Sequence, residues 1–264
     1  SLVRVEPAGR IAILYRSLDD PNSKLVELLL AASALRDNGA LRVILIAPYL
    51  AYMRQDMAFN SGEAVSQRAI GTLLQSWFDA VLSVDPHLHR VASLHEIMPT
   101  IPARSISAAP ALSAALAGMD APILVGPDSE SRQWVEAIAA PLSLDVLVGE
   151  KTRNGDRDVA IVIPGIEKVA GRHTVLVDDV ISSGQTLAVA AQLLKRAGAG
   201  QIEALATHCL AHDADLARLA QSDIARVRSA QTVPGPTATI GIASLLAGEI
   251  AAQGWLGKVW NYNE

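Results

Sequence analysis

One short run of residues limits the possible folds of this chain more than any other feature. Residues 43–47 are all apolar, and the run is far too short to span a bilayer. A strand without polar positions is typical of a parallel sheet, because helices then cover both of its faces. We therefore expect helices to alternate with strands through the rest of the chain.

The flanking sequence has this alternation of β-rich runs and helical periodicity. It indicates an α/β fold with mostly parallel sheets, and the number of strands is high for one small sheet. The predicted strands are 11–15, 43–47, 80–84, 123–125, 145–148, 159–163, 174–177 and 203–207. The predicted helices are 24–36, 66–75, 133–140, 187–197 and 243–253.

A proline-rich segment marks the predicted boundary between two halves of the chain. Residues 99–110 contain three prolines and several small polar residues, which is typical of a linker. We predict an N-terminal domain over 1–108, a C-terminal domain over 109–252 and a C-terminal tail over 253–264. The tail contains Trp255 and Trp260. Because tails usually lack large aromatic residues, we predict that it packs back on the N-terminal domain.

Composition excludes several classes of protein. The 22 Lys and Arg residues and 27 Asp and Glu residues give a net charge of −5, which argues against a nucleic-acid partner. No apolar run is long enough for a membrane span, and the first residues lack the pattern of a signal peptide. Cys209 is the single cysteine, so no intramolecular disulfide can form. These features predict a cytoplasmic location.

The most informative motif lies at 174–186, where an apolar strand meets a pair of carboxylates and then a small-residue loop. Asp178 and Asp179 fall at the predicted strand end, where open α/β sheets bind ligands, and carboxylates accept hydrogen bonds from ribose hydroxyls or bind Mg²⁺. The following loop opens a helix, whose first N–H groups attract anions. An ordinary turn capped by Ser182 is the simpler alternative, but it leaves two adjacent acids unexplained. The loop residues are Ser182, Ser183, Gly184, Gln185 and Thr186.

This segment resembles the 5-phosphoribosyl-1-diphosphate (PRPP) loop of type I phosphoribosyltransferase-fold proteins. Further motifs occur in an order that resembles the ribose-phosphate pyrophosphokinase family over essentially the whole chain. They are Arg54-Gln55-Asp56, the segment ending in His87, the segment ending in Asp128, and residues 150–153. The resemblance implies an α/β fold with two phosphoribosyltransferase-like domains, each a mostly parallel sheet flanked by helices.

The resemblance also implies an enzyme of nucleotide biosynthesis. ATP would donate its β,γ-diphosphoryl group to ribose 5-phosphate, giving PRPP and AMP. By the same resemblance, ATP binds to Arg54, Gln55, Asp56 and His87, and Mg²⁺ binds to His87 and Asp128. A surface salt bridge between Arg54 and Asp56 is the non-functional alternative for the first motif.

The remaining roles also follow from the resemblance. Lys151 and Arg153 match catalytic cations of a flexible loop that stabilise the transferring group, although their charged surroundings are also typical of a solvated surface. The family forms homo-oligomers, dimers or hexamers, so we expect one here. Ribose 5-phosphate would be held by Asp178, Asp179, Ser182, Ser183, Gly184, Gln185 and Thr186.

Two departures from the family pattern keep other functions open. Met57 and Ala58 stand where basic residues are usual, and residues 129–132 replace a glycine-rich diphosphate loop. A PRPP-dependent phosphoribosyltransferase is one alternative, but it would not need Arg54, Gln55 and His87. A non-catalytic regulatory relative is the other, and the retained Lys151, Arg153, His87 and Asp128 argue against it.

Overall fold

The computed structural model describes residues 9–58, 60–88, 90–154 and 158–257, and the side chains of 151–160 lie outside this description. The chain forms two compact units. The first contains the described residues through Ser107 and those from Ala243 onward, and the second is Ala108–Ile242. The division after Ser107 lies one residue from the predicted boundary, but residues 243–252 belong to the first unit and not to the second.

The first unit is built on a four-stranded parallel sheet in the order β1-β2-β3-β4. Residues 43–47 lie in its interior and are buried, as their apolar pattern predicts. β4 lies inside the segment that we predicted as a linker. The strands are β1 (Ile11–Tyr15), β2 (Arg42–Ala47), β3 (Ala80–Val84) and β4 (Ala103–Ile106), and the first three helices are α1 (Pro21–Asp37), α2 (Ser66–Trp77) and α3 (Leu94–Ile97).

Helix α1 shows how the sequence determines this unit. Leu25, Leu28, Ala32 and Leu35 recur on one face and are buried in the core beside β2. Pro21 stands in the first turn, where the missing N–H costs nothing. The helix therefore begins before the predicted position 24, because proline favours a start that apolar spacing alone does not reveal.

The second unit is built on a six-stranded parallel sheet in the order β12-β11-β10-β9-β5-β6. The central strands β9 and β10 carry the candidate site. The strands are β5 (Ile123–Gly126), β6 (Val146–Val148), β9 (Thr174–Ile181), β10 (Ile202–Cys209), β11 (Ile224–Ala230) and β12 (Ala238–Ile240). The helices are α4 (Ala109–Ala114), α5 (Arg132–Ala139), α6 (Gln185–Arg196) and α7 (Asp213–Gln221).

A two-stranded antiparallel sheet, β7 (Glu150–Asn154) and β8 (Asp158–Val162), completes the second unit. Lys151 pairs with Ile161 and Arg153 pairs with Val159 in its backbone register. The backbone of both predicted catalytic cations is therefore in a strand, where we expected a flexible loop. Their side chains lie outside the described part of the structure.

Buried charges join two strands of the second sheet. Oε2 of Glu203 on β10 lies 3.3 Å from Nη2 of Arg228 on β11, and both side chains are at most 10% exposed. His173 approaches the other carboxylate oxygen of Glu203, with Nε2 3.4 Å away. This pairing explains how β11 keeps a charged side chain in a buried position.

The last helix, α8 (Ala243–Ala252), returns to the first unit, where it contacts β4. Trp255 is buried, and the guanidinium of Arg42 donates a hydrogen bond of 2.9 Å to the carbonyl oxygen of Gly257. Trp260 lies outside the described residues. Within the described ranges, no helix is long and apolar enough to cross a bilayer.

Candidate active site

The candidate ribose-phosphate site lies at the carboxyl end of β9. β9 continues through Asp178 and Asp179 to Ile181, so the acids lie within the strand, because pairing with β10 extends from Thr174 to Ile181. Residues 182–184 then connect directly to α6. This places the two carboxylates, the loop hydroxyls and the N-terminus of a 12-residue helix at one edge of the sheet.

Gly184 forms the corner between the loop and α6. Its φ is +70°, and its carbonyl accepts the N–H of Ala188 at 2.9 Å, so it is the N-cap residue. A Cβ at Gly184 would lie 2.8 Å from Leu219 of α7. Both observations favour glycine here. Ser182, Ser183 and Gln185 are exposed beside it, and Thr186 is half-buried.

Three carboxylates make this edge of the sheet strongly acidic. Burial and the negative charges of Asp179 and Asp128 raise the pKa of Asp178 well above its usual range. Oδ1 of Asp178 also accepts the N–H of Asp179 at 3.0 Å, and Asp179 is only 4% exposed. Hydroxyl donors or a cation would favour the charged form of Asp178, so the site suits a sugar or a metal–phosphate complex.

Asp128 is held by the turn that follows β5. Its Oδ1 accepts the N–H of Ser131 at 3.3 Å, and its carbonyl accepts the hydroxyl of Ser131 at 2.6 Å. Ser131 is 1% exposed, so its hydroxyl stabilises the turn and is not directed to a phosphate. Ser129 and Glu130 are exposed. Helix α5 begins at Arg132, whose Nη1 lies 3.3 Å from Oε1 of Glu136 one turn further along the helix.

Two glycines pack this turn tightly against its neighbours. A Cβ at Gly126 would lie 2.3 Å from Oγ of Ser131, and one at Gly149 would lie 2.4 Å from the carbonyl oxygen of Pro127. The N–H of Gly149 also donates to the carbonyl of Gly126 at 2.8 Å. The position of Asp128 therefore depends on close backbone contact with the segment after β6.

The candidate nucleotide residues Arg54, Gln55 and Asp56 lie in the loop after β2 of the first unit. The start of α2 holds this loop. The N–H of Gln67 donates to the carbonyl of Gln55 at 3.2 Å, and its buried side-chain amide donates to the carbonyl of Met53 at 3.1 Å. Arg54 is exposed and Gln55 is half-buried.

Asp56 pairs with an arginine that the sequence analysis did not identify. Its side chain is 1% exposed, and its carboxylate accepts a hydrogen bond from Arg90, which is 56% exposed and follows β3. Arg90 lies three positions after the half-buried His87. The ion pair that Asp56 forms is therefore with Arg90 and not with Arg54. No local pattern signals it, because 34 positions separate the two residues.

The structure thus gathers the predicted residues into two groups. Asp128, Asp178 and Asp179 meet in the second unit, and Arg54, Gln55, Asp56 and His87 lie on two loops of the first. His87 and Asp128, predicted to share a Mg²⁺ ion, belong to different units. Within the described ranges, no group of three or more His, Cys, Asp or Glu residues could hold a metal ion alone. Mg²⁺ usually binds proteins through one or two carboxylates plus phosphates, which suits Asp128 and its acidic neighbours.

Comparisons with known proteins identify the family of the chain. A family model for the N-terminal domain of ribose phosphate pyrophosphokinase matches residues 8–77, and one for the phosphoribosyl transferase domain matches residues 103–235. The ribose-phosphate pyrophosphokinase of Methanopyrus kandleri is 34% identical over 252 residues, which cover 93% of this chain and 84% of that protein. The corresponding protein of Pyrococcus furiosus is 30% identical over 91% of this chain and 85% of its own length.

A solved structure gives the same result. The phosphoribosylpyrophosphate synthetase of Mycobacterium smegmatis superimposes with a TM-score of 0.80 and 28% identity, over 97% of this chain and 87% of that one. The predicted fold, with two phosphoribosyltransferase-like domains, is therefore confirmed. The two family models and these relatives show that the chain belongs to the ribose-phosphate pyrophosphokinase family.

Proposed function

We propose that this enzyme transfers the β,γ-diphosphoryl group of ATP to ribose 5-phosphate, giving PRPP and AMP for nucleotide biosynthesis. The anomeric hydroxyl oxygen attacks the β-phosphorus. The bond from that phosphorus to the oxygen shared with the α-phosphate breaks, AMP leaves, and the hydroxyl proton passes to solvent. The observation that carries the proposal is that one family-assigned chain combines the acidic strand and loop of β9 with the Arg-Gln-Asp loop of β2.

Ribose 5-phosphate is assigned to the second unit. Asp178 and Asp179 accept hydrogen bonds from the ribose hydroxyls, and bound hydroxyls offset the burial and the repulsion that raise the pKa of Asp178. The 5-phosphate is held by the start of α6, whose backbone N–H groups and dipole favour an anion. The loop residues assigned to it are Ser182, Ser183, Gly184, Gln185 and Thr186.

ATP is assigned to the loops of the first unit. Arg54 is exposed and its guanidinium can donate two parallel hydrogen bonds to a phosphate. Gln55 and His87 are half-buried and offer polar groups to the nucleotide. Asp56 is part of the same set, but its burial and its pairing with Arg90 support an indirect role.

Lys151 and Arg153 are assigned to the transferring group. In phosphoryl transfer, negative charge spreads over the equatorial oxygens, so cations placed there lower the barrier. We infer Mg²⁺ as the cofactor, and the candidate protein ligands are His87 in the first unit and Asp128 in the second. When bound, the ion neutralises phosphate charge and polarises the reacting phosphorus. Asp128 is suited to this role because the turn at Ser131 fixes its carboxylate.

The deciding experiment incubates the protein with ATP, Mg²⁺ and ribose 5-phosphate and measures AMP and PRPP together. We expect equimolar AMP and PRPP. Consumption of added PRPP with a nucleobase, without AMP formation from ATP, would instead identify a phosphoribosyltransferase. Binding of ribose 5-phosphate with neither reaction would identify a non-catalytic relative. A homo-oligomer, dimer or hexamer, and a cytoplasmic location stay predictions, which sedimentation and fractionation would test.

A further inference from the structure

Asp56 and Arg90 join the two loops at the carboxyl-terminal edge of the first sheet. The carboxylate of Asp56 is almost fully buried at 1% exposure, whereas the side chain of Arg90 is 56% exposed. One N–H of Arg90 donates to Oδ1 of Asp56. Within the described residues, Oδ2 of Asp56 is buried and has no hydrogen-bond partner. The pair is thus asymmetric, because the carboxylate is buried and the guanidinium is exposed.

This asymmetry fixes the guanidinium in space. A buried carboxylate without a cation is costly, so folding itself brings Arg90 to Asp56. The rotamer entropy of the long arginine side chain is then lost during folding and not during ligand binding. Because β2 and β3 are adjacent parallel strands, the pair also ties the loop of Arg90 to the loop of Arg54.

The exposed part of Arg90 has the chemistry of a phosphate-binding group. A guanidinium has five N–H donors, and the fork that Asp56 leaves exposed can donate to phosphate oxygens. The residues directly after Asp56 are Met57 and Ala58, which are exposed and carry no charge. Between β2 and α2 the sequence contains one arginine, Arg54, and no lysine, so a second cation at this end of the sheet has to come from the neighbouring loop.

We propose that Arg90 binds the phosphates of the nucleotide and that Asp56 is its positioning residue. The inference rests on the proposed function of the first unit as the ATP site. Arg54 and Arg90 then act on the same polyphosphate from two loops. Asp56 offsets the repulsion between these two cations before the nucleotide arrives.

Calorimetric titration of the full chain with ATP and Mg²⁺ tests the first half. We expect Arg90→Ala to weaken ATP binding about 10- to 100-fold, the usual effect of losing a charged hydrogen bond, and Arg90→Lys to recover part of the loss. The matched control is Arg36→Ala. Arg36 pairs with Asp79, which precedes β3 and so lies at the opposite end of that strand. It should leave ATP affinity unchanged.

The double variant Asp56→Asn/Arg90→Ala tests the second half. Asp56→Asn alone should weaken ATP binding and raise the KM for ATP without changing the KM for ribose 5-phosphate. In the Arg90→Ala background, Asp56→Asn should have no further effect, because Asp56 acts on the nucleotide only by positioning Arg90. Equal effects in both backgrounds would show a merely structural role for Asp56. The double variant leaves no unpaired buried carboxylate, because both charges are removed. If Arg90→Ala alone does not fold, the ATP affinity of the double variant measures the loss of Arg90 in its place.

The failure of this inference differs from failure of the proposed function. If the wild-type chain binds ATP, Arg54→Ala weakens binding and Arg90→Ala matches Arg36→Ala, then Arg90 has no role and only the inference is overturned. If the wild-type chain binds ribose 5-phosphate but not ATP, the proposed function fails and the inference fails with it.

Discussion

Oγ1 of Thr232 lies 2.8 Å from Nδ1 of His208 and 2.7 Å from the carbonyl oxygen of Thr207. A hydroxyl has one proton and a carbonyl can only accept, so Thr232 donates to Thr207 and accepts from His208. This assigns a proton to Nδ1 of the imidazole. The arrangement fixes the carboxyl end of β10, which pairs with β9 at Val180 and Ile181, directly beside the candidate ribose-phosphate loop.

Thr232→Val is expected to destabilise the protein. The change keeps the side-chain volume but removes the buried hydroxyl that partners both His208 and Thr207, at a cost of about 1–3 kcal/mol in the free energy of unfolding. Urea unfolding measures this, and Thr232→Ser should recover most of the loss. Ser76→Ala is the control, since Ser76 donates to a backbone carbonyl at an exposed site. Equal effects of Thr232→Val and Ser76→Ala would contradict the arrangement.

Asp178→Asn is expected to stabilise the free protein at neutral pH. The folded-state pKa of Asp178 is raised, so the folded protein holds that proton more tightly than the unfolded chain. Its favourable contribution is present below the unfolded pKa and is lost as pH rises through the raised one. Above that point, the variant avoids both the cost of burying a charged carboxylate and its repulsion from Asp179 and Asp128. The gain in Tm over wild type should therefore grow from acid to neutral pH.

Asp145→Asn is the matched control, because the pKa of Asp145 is shifted in the opposite direction to that of Asp178. A hydrogen bond and the positive charge of Arg172 lower the pKa of this exposed carboxyl. Its contribution to stability is present above the unfolded pKa and is lost as pH falls through the lowered one. Asp145→Asn should therefore not raise the Tm at neutral pH. A Tm for Asp178→Asn below that of wild type at neutral pH would contradict the assigned repulsion.

Gly184→Ala is expected to impair binding of ribose 5-phosphate. The φ of +70° strains any residue with a Cβ, and the new Cβ would lie 2.8 Å from Leu219. We expect the KM for ribose 5-phosphate to rise roughly tenfold while the KM for ATP is unchanged, since a displaced N-terminus of α6 loses the phosphate. Adding Leu219→Ala relieves the contact but not the backbone strain. An unaltered KM for ribose 5-phosphate in Gly184→Ala would argue against this site.

Gly149→Ala is expected to lower both stability and turnover. Its Cβ would lie 2.4 Å from the carbonyl oxygen of Pro127, so the backbone before Asp128 has to move. We expect a loss of about 1–3 kcal/mol in the free energy of unfolding, together with a lower kcat. Gly248→Ala is the control, because this glycine of α8 has no neighbouring atom within 4 Å of the new Cβ. That change should stabilise the helix by up to about 1 kcal/mol.

Lys151→Ala is expected to reduce kcat about 10²- to 10³-fold, because the transition state would lose a cation near the transferring group. Binding of ribose 5-phosphate, measured by calorimetry, should be nearly intact. Lys195→Ala is the control, since Lys195 faces Asp223 at an exposed position. If kcat for Lys151→Ala equals that of the control, Lys151 has no part in the reaction.

The strands with uniform apolar character were predictable from the sequence. Residues 11–15 and 80–84 coincide with β1 and β3, and residues 43–47 lie within β2. Residues 43–47 and 80–84 are buried, so local composition and tertiary environment favour the same structure there, whereas Ile13 and Tyr15 of the outer strand β1 are exposed. The loop after β9 was recognisable for a different reason, because two acids next to small residues have no ordinary structural role.

Other elements depend on contacts that are distant in sequence. β4 lies among prolines, yet its backbone pairs with β3. β11 contains charged residues at alternate positions, and the buried guanidinium of Arg228 is partnered by the carboxylate of Glu203 on β10 and by the carbonyl oxygen of Ala115. β7 is a charged run that pairs with β8. Local composition predicts loops at such places, because it contains no information on the strand with which the segment pairs.

The same reason applies to the candidate site. Arg90 was missed because an isolated arginine in a polar segment carries no signal, and its significance comes from a carboxylate on another loop. The role of Ser131 was also not predictable, because its hydroxyl could equally have served a ligand or the turn. Residue types indicate which chemistry is possible, whereas side-chain contacts decide which of those groups remain available.

The path of the chain between the two units bears on how the protein is made. The chain leaves the first unit after Ser107 and returns at Ala243, so the second unit is one continuous segment. During synthesis on the ribosome, β1 to β4 emerge first, but α8, which contacts β4, emerges only after the whole second unit. The first unit is therefore completed only by a helix that is synthesised after the whole second unit.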